Sequence, residues 1–248
     1  MEESKEKALM TQTDVPMGFS EDEDAGDIII PRIKAIQALS PERKEKTAEE
    51  GDLINSLTLE KINGRVFIPV FMFKSNILWI DRKDGGGIRC QARDGKNGID
   101  QEGATVLCNF CKKNEFDNTK KGRDAIPQCT KYLNFFGFIE NEPVPIVLSF
   151  AKTNYNDGKK LYSLAKVSMQ NIWNHGYRLT TKLIKKNDNE WYNIDVAPAG
   201  PTTDEQRQLA MAMFKNFKAS DFKFDEESTV VEEQGVHVSE EDIASSEY

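Results

Sequence analysis

Histidine is almost missing from these 248 residues: only His175 and His237 are present. That excludes most catalysis that relies on an imidazole beside a nucleophile. No Ser/His/Asp set and no paired-carboxylate pattern stands out either. The chain therefore reads as a binding protein, not an enzyme. Long apolar runs are also missing. No stretch approaches the roughly 18 residues that a membrane-spanning helix needs. The opening MEESKEKALM lacks the basic-then-apolar pattern of a signal peptide. The expectation is a soluble, cytoplasmic protein with no membrane partner. Gly85-Gly86-Gly87 lacks the GxxxxGK[ST] form, so a Walker ATPase is not indicated. Cysteine is sparse at four residues, and in a cytosolic chain these are thiols or metal ligands before they are disulfides.

The most telling absence is positional. The last 24 residues, 225–248, hold nine carboxylates and no lysine or arginine. Residues 1–27 hold nine carboxylates against Lys5 and Lys7 alone. What remains, 28–224, carries 31 basic and 23 acidic side chains, a net of +8 inside a chain of net -8. A basic body between acidic ends suits a core that meets a polyanion and a tail that competes for the same surface or is offered to a partner. Both ends have too few apolar residues to offset chain entropy, and the expectation for them is disorder. The organisation expected is an acidic arm at 1–27, one nucleic-acid-binding domain at 28–224, and an acidic tail at 225–248.

Within the body, short apolar runs and turn signals predict mostly strands. A short first strand is expected at Ile28–Ile30 and a helix start at Ser40-Pro41-Glu42. Extended runs follow at 65–73, 77–82 and 88–93. Residues 94–129 read as a loop-rich stretch. Rich strands follow at 132–140 and 144–150. Leu161, Leu164, Ala165, Ser168 and Ile172 share a helical face, predicting a helix over 159–173 that stops at Gly176. A hairpin is expected over 177–184 and 190–197, turning at Asn187-Asp188-Asn189. Thr203 is a plausible N-cap for a C-terminal helix running to about Lys218. The fold class expected is mainly β with α (α+β): a small closed or partly open β-barrel with an insertion at 85–130 and a C-terminal helix.

The four cysteines fall in one window, as Cys90, Cys108, Cys111 and Cys129. Cys108-Asn109-Phe110-Cys111 has the spacing of a zinc knuckle, since two intervening residues let both thiolates face one ion. Four thiolates with no open position predict a structural Zn²⁺ that holds the insertion. Four ordinary thiols are the plain alternative. Single-stranded nucleic acid is bound by cationic grooves lined with aromatic faces, and Lys152–Lys186 is dense in both residue types. The candidates there are Lys152, Tyr155, Lys159, Lys160, Trp173, Tyr177, Arg178 and Lys182, with Arg178 and Lys182 on one face of a strand and Tyr177 on the other. Phe71, Phe73, Trp79 and Phe138 read as packing or as platforms. Tyr132, Asn134, Phe136 and Phe138 alternate against Leu133, Phe135 and Ile139, so both faces of that strand need a partner.

LSFAKTNYNDGKKLYSLAK (148–166), YRLTTK (177–182), DVAPAG (195–200) before a helix, the cysteine-rich insertion and the closing EEDIASSEY together resemble phage-encoded single-stranded DNA-binding proteins. The resemblance implies an OB-fold, in some members a structural zinc, and a tail that recruits replication or recombination proteins. It also implies a role in phage DNA replication or recombination in the host cytoplasm. This chain departs from one zinc-bearing member by offering only cysteines as ligands, and from its basic N-terminal arm by an acidic one. The competing expectations are a zinc-ribbon nucleic-acid-processing enzyme or subunit, such as a nuclease or primase accessory, and an RNA-binding regulator.

Overall fold

The computed structural model describes residues 29–121, 125–167, 169–186, 189–219 and 223–224. The arms expected at 1–27 and 225–248 lie outside these residues, as do Ile28, Ser168 and the Asn187-Asp188 turn. The fold is mainly β with helix: an open, strongly connected sheet with a C-terminal helix.

A three-strand meander forms its centre. The long strand β4 (Val66–Trp79) pairs antiparallel with β8 (Cys129–Ile139), and β8 with β9 (Glu142–Ala151). Pro69 sits inside β4, where it cannot donate to a ladder. It is accommodated at a register shift between Pro69 and Phe71. On the other edge of the meander, β2 (Arg32–Ala35) runs parallel to β9 and carries β3 (Leu53–Asn55). Helix α1 (Pro41–Lys44) lies between β2 and β3 in sequence, and the expected start after Ser40 is correct.

Helix α2 (Tyr155–Val167) follows β9. It starts earlier than 159 and stops before Ile172, which lies in a 3-10 turn, Ile172–Asn174. Gly176 belongs to the next strand and does not stop the helix. That strand, β10 (His175–Lys186), forms a hairpin with β11 (Asn189–Pro201) and returns to β4 through Tyr177–Phe67 and Arg178–Val66. A meander, a helix, then a hairpin returning to the first strand is the order of an OB-fold-like barrel, here with β2 added beside β9. The barrel is only partly closed. Gln37, just after β2, reaches β11 with its side chain alone: Nε2 donates to the Tyr192 carbonyl at 2.8 Å, and the Tyr192 amide donates to Oε1 at 2.8 Å.

Two apolar clusters explain why β8 is apolar on both faces. Leu133, Phe135 and Ile139 point inward with Phe67, Leu148, Phe150, Leu179 and Val196. Helix α2 closes this core with Leu161 and Ala165. Its close approach depends on Gly158, where a Cβ would come within 2.6 Å of the Phe150 side chain. Phe136 and Phe138 point outward, with Ile68, Val70 and Val147. Helix α3 (Asp204–Ala219) covers that outer face through Ala210, Leu209, Met213 and Phe214. The capping prediction for Thr203 is correct. The Gln206 amide donates to Thr203 Oγ1 at 3.2 Å, and the Thr203 amide donates to Gln206 Oε1 at 2.8 Å, a reciprocal capping box. Beyond α3, β12 (Lys223–Phe224) pairs in parallel with β1 (Ile29–Ile30).

The stretch 94–129, expected to be loop-rich, holds more order than that. Strands β5 (Ile88–Ala92), β6 (Asn97–Asp100) and β7 (Thr105–Leu107) extend the sheet outward from the end of β4. β5 is the extended run expected at 88–93; β6 and β7 are only four and three residues long, with Asp94, Gly95 and Asp100 reading as turn residues, so alternation alone did not reveal those two. The insertion is thus a three-strand flap continuous with the barrel sheet.

Candidate nucleic-acid interface and cysteine cluster

Register brings the cysteines together. Leu78 on β4 pairs with Cys90 on β5 on one side and with Cys129 on β8 on the other, so both thiols flank it on one face of the sheet. Cys108 and Cys111 bracket a 3-10 turn (Cys108–Phe110), closed by the Cys111 amide donating to the Cys108 carbonyl at 3.3 Å. The Cys108 amide in turn donates to the Lys96 carbonyl at 2.8 Å, which ties the turn to β6. Gly98 leaves room for the cluster: a Cβ there would lie 2.7 Å from Cys90 Sγ. All four cysteines line one cavity of about 410 Å³, together with Asn114, Lys113 and Asp100.

The thiols feel one another. Burial, and then the neighbouring Cys111, Cys108 and Cys90, push the Cys129 thiol up to about 11. Burial and then Cys108 and Cys111 raise the Cys90 thiol as well, while Lys113 acts in the opposite sense. Asn114 anchors the turn by donating from Nδ2 to the Cys108 carbonyl at 3.1 Å. Its buried Oδ1 has no hydrogen-bond partner among the described residues. No group of three or more His, Cys, Asp or Glu side chains among the described residues is already arranged as a metal cage. All four cysteines do line one cavity, and thiolate sulfur is the donor type that structural zinc sites use.

The candidates from 152–186 separate into two kinds. Tyr177 is 2% exposed inside the barrel core, and Trp173 is 9% exposed in the outer cluster, its ring centroid 5.5 Å from that of Phe214. Burial raises the Tyr177 phenol above its ordinary value. Neither ring offers a free face to a base, which corrects the stacking role expected of both. The strand pattern already placed Tyr177 on the apolar face. Tyr155, at the start of α2, is half-buried, and Lys159 Nζ sits 5.3 Å from its ring centroid.

The cations are exposed except Lys182, which is half-buried, and several are engaged. Lys160 Nζ is 3.0 Å from Asp195 Oδ1, and Lys182 Nζ is 2.6 Å from Asp157 Oδ1. Asp157 is itself buried and also accepts from Asn193 Nδ2 at 3.3 Å. Lys182 therefore ties β10 to α2 as well as presenting charge. Arg178 Nη1 donates to the Gly64 carbonyl at 2.6 Å. Lys152 is exposed in the 3-10 turn ahead of α2.

Two cations escaped the sequence reading. Lys74 pairs with Leu133, and Lys131 with Asn76, so Lys74, Asn76 and Lys131 share one face of the β4–β8 ladder. Both lysines are exposed, and this face leads toward the cysteine cavity, which Asn76 and Leu78 also line. Strand alternation assigns each lysine to a face of its own strand, but only the β4–β8 register sets the two on one face. The outer face holds a polar chain as well. Asn134 Nδ2 donates to Ser75 Oγ at 2.9 Å, Ser149 Oγ donates to Asn134 Oδ1 at 2.7 Å, and Arg32 Nη1 donates to Ser149 Oγ. Wholly buried Asn134 thus links β8 to β4 and β9, and Arg32 extends the chain to β2 through Ser149.

Among the described residues, no helix is long and apolar enough to cross a membrane. No curated protein and no solved structure matches the chain. One family model, that of the Pam3 phage gp34-like protein, matches residues 2–223.

Proposed function

The chain belongs to the Pam3 phage gp34-like protein family, and on that premise we propose that it binds and protects single-stranded DNA during phage DNA replication or recombination. The observation that carries the reading is the separation of charge: a β body at 28–224 of net +8, flanked by 18 carboxylates in the two ends. A cationic surface on a small barrel suits a flexible polyanion, whose phosphates displace counterions as they bind. Lys152, Lys159, Lys160, Arg178 and Lys182 are the proposed phosphate contacts, with Tyr155 as the proposed stacking ring beside them. Lys160 and Lys182 must exchange a carboxylate partner for a phosphate, so each contributes less than its charge alone would. The acidic tail would recruit replication or recombination proteins.

The same reading assigns a structural Zn²⁺ to Cys90, Cys108, Cys111 and Cys129. The ion would supply cross-linking between β5, β8 and the 108–111 turn, and no chemistry on the nucleic acid. The test is a titration of labelled oligo(dT) and of a duplex of equal length across a salt series. Preference for the single strand, weakening as salt rises, is the expected result. Equal affinity for both, or no binding at low salt, overturns the reading.

A further inference from the structure

Phe110 is 83% exposed, the most exposed aromatic side chain among the described residues. It is held there by the turn itself: Cys108 is buried on the cavity side, and Cys108 and Cys111 both line the cavity. Asn109 and Phe110, between them, are left facing solvent. The turn is also braced from below by its bonds to Lys96 and Asn114. Phe110 is therefore an apolar ring on a fixed mount, unlike a ring on a free loop.

Its surroundings select the ligand. Leu107 and Ile99 are exposed at 52% and 60%. Their pairing, Asn97 with Leu107 and Ile99 with Thr105, sets them on the face of β6–β7 opposite Gly98 and Val106, which face the cysteines. Lys96 is exposed at the point where the turn is tied to β6, and Lys112 follows the knuckle directly. Of the nearby acids, exposed Asp94 accepts from the Lys96 and Asn97 amides and from Asn97 Nδ2, and Asp117 is taken up by Thr119 and Lys120; Glu102 and Glu115 are the further exposed carboxylates of the flap. An apolar ring between lysines is the arrangement that stacks a base while its phosphates are neutralised. The flap joins the first two strands of the meander, and in OB-type barrels this connection borders the strand that is bound.

We infer that Phe110 is a base-stacking contact for single-stranded DNA, with Lys96 and Lys112 on the adjoining phosphates, so that the cysteine-held flap is part of the binding surface. This rests on the single-strand-binding reading above. The experiment compares wild-type, Phe110→Ala and Phe110→Trp full-length proteins, using oligo(dT) and an abasic strand of the same length. Phe110→Ala should bind oligo(dT) about 5- to 150-fold more weakly, the equivalent of one lost stack. Its affinity for the abasic strand and its salt slope should stay unchanged. Phe110→Trp should retain affinity, and its added fluorescence, above that of Trp79, Trp173 and Trp191, should be quenched by oligo(dT). Matching melting curves and zinc contents guard against a folding defect in either variant.

If wild-type protein binds oligo(dT), but Phe110→Ala binds it equally well and the new tryptophan stays unquenched, this inference falls and the function stands. A change in self-association with unchanged DNA affinity would make the patch a protein contact, and also overturns it. Failure of wild-type protein to bind any single strand overturns the function, and this contact with it.

Discussion

Tyr177 lies in the same buried cluster as Phe67 and Leu179, whereas Lys159, on the exposed side of α2, rests its ammonium over the Tyr155 ring. The two residues should therefore fail in opposite ways. Tyr177→Ala removes a buried ring and leaves a cavity, at a cost of about 3–5 kcal/mol. The folded fraction should still bind single strands with an unchanged salt slope. Lys159→Ala touches no core group and should leave the melting curve in place. It should flatten the log K against log salt slope by about 0.7, one phosphate contact on a single strand. Urea melts and a salt series on both variants check this. A Tyr177→Ala protein of wild-type stability with lost affinity would restore that ring as a platform. Lys182 falls between the two cases, because its removal strands the buried carboxylate of Asp157.

At the scale of elements, the flap β5–β7 depends on what joins its edge. Its strands are three to five residues long, and its exposed Ile99, Leu107 and Phe110 contribute little burial. Zinc bound by the four cysteines would hold it from three separate segments. Elemental analysis should find one zinc per chain, and stripping it should loosen the flap while the barrel, with its own core, stays folded. Hydrogen exchange before and after chelation reads this directly. Uniform protection in both states would assign the flap's order to its hydrogen bonds alone.

The pH dependence has a definite sign. In metal-free protein Cys129 is pushed up to about 11, so it is protonated at neutral pH and zinc must displace that proton. Zinc retention against a fixed chelator should therefore fall as the pH falls. Separately, a thiol whose folded value lies above its ordinary 9.0 favours the folded state below pH 9. That contribution is lost between pH 9 and about 11.

The elements that sequence revealed are those with a strong period or a clear stop. Both-faces-apolar β8 announced two partners, and it has them in the barrel core and in α3. Thr203 marked the start of α3, and its reciprocal bonds with Gln206 bear that out. Strands β6 and β7 were not legible because four residues (Asn-Gly-Ile-Asp) and three (Thr-Val-Leu) carry too little alternation to count. The clustering of the cysteines was legible from spacing, while the common partner Leu78 that aligns Cys90 with Cys129 is a matter of register. Lys74 and Lys131 were missed for the same reason: their nearness exists only across the β4–β8 ladder.

For the whole molecule, charge is the organising quantity. The body at 28–224 has a net of +8, and residues 225–248 add nine carboxylates with no compensating cation. A tether at one end would give those carboxylates a high effective concentration for the cationic side chains of the body. On the proposed function they would compete with single-stranded DNA for the same lysines, and salt would screen the contact over roughly 8–10 Å at moderate ionic strength. Removing residues 225–248 should tighten binding to oligo(dT), more at low salt than at high. The steeper slope should come from phosphate contacts no longer shared with the tail. DNA that displaces the tail would in turn expose it, so recruitment of a protein that reads EEDIASSEY should be greater for DNA-bound than for free protein, and absent from the truncated chain. Anisotropy titrations of both proteins across one salt series are the check. Coincident curves at every salt concentration would reduce the tail to a solubilising segment and leave the body's charge as the sole electrostatic determinant of binding.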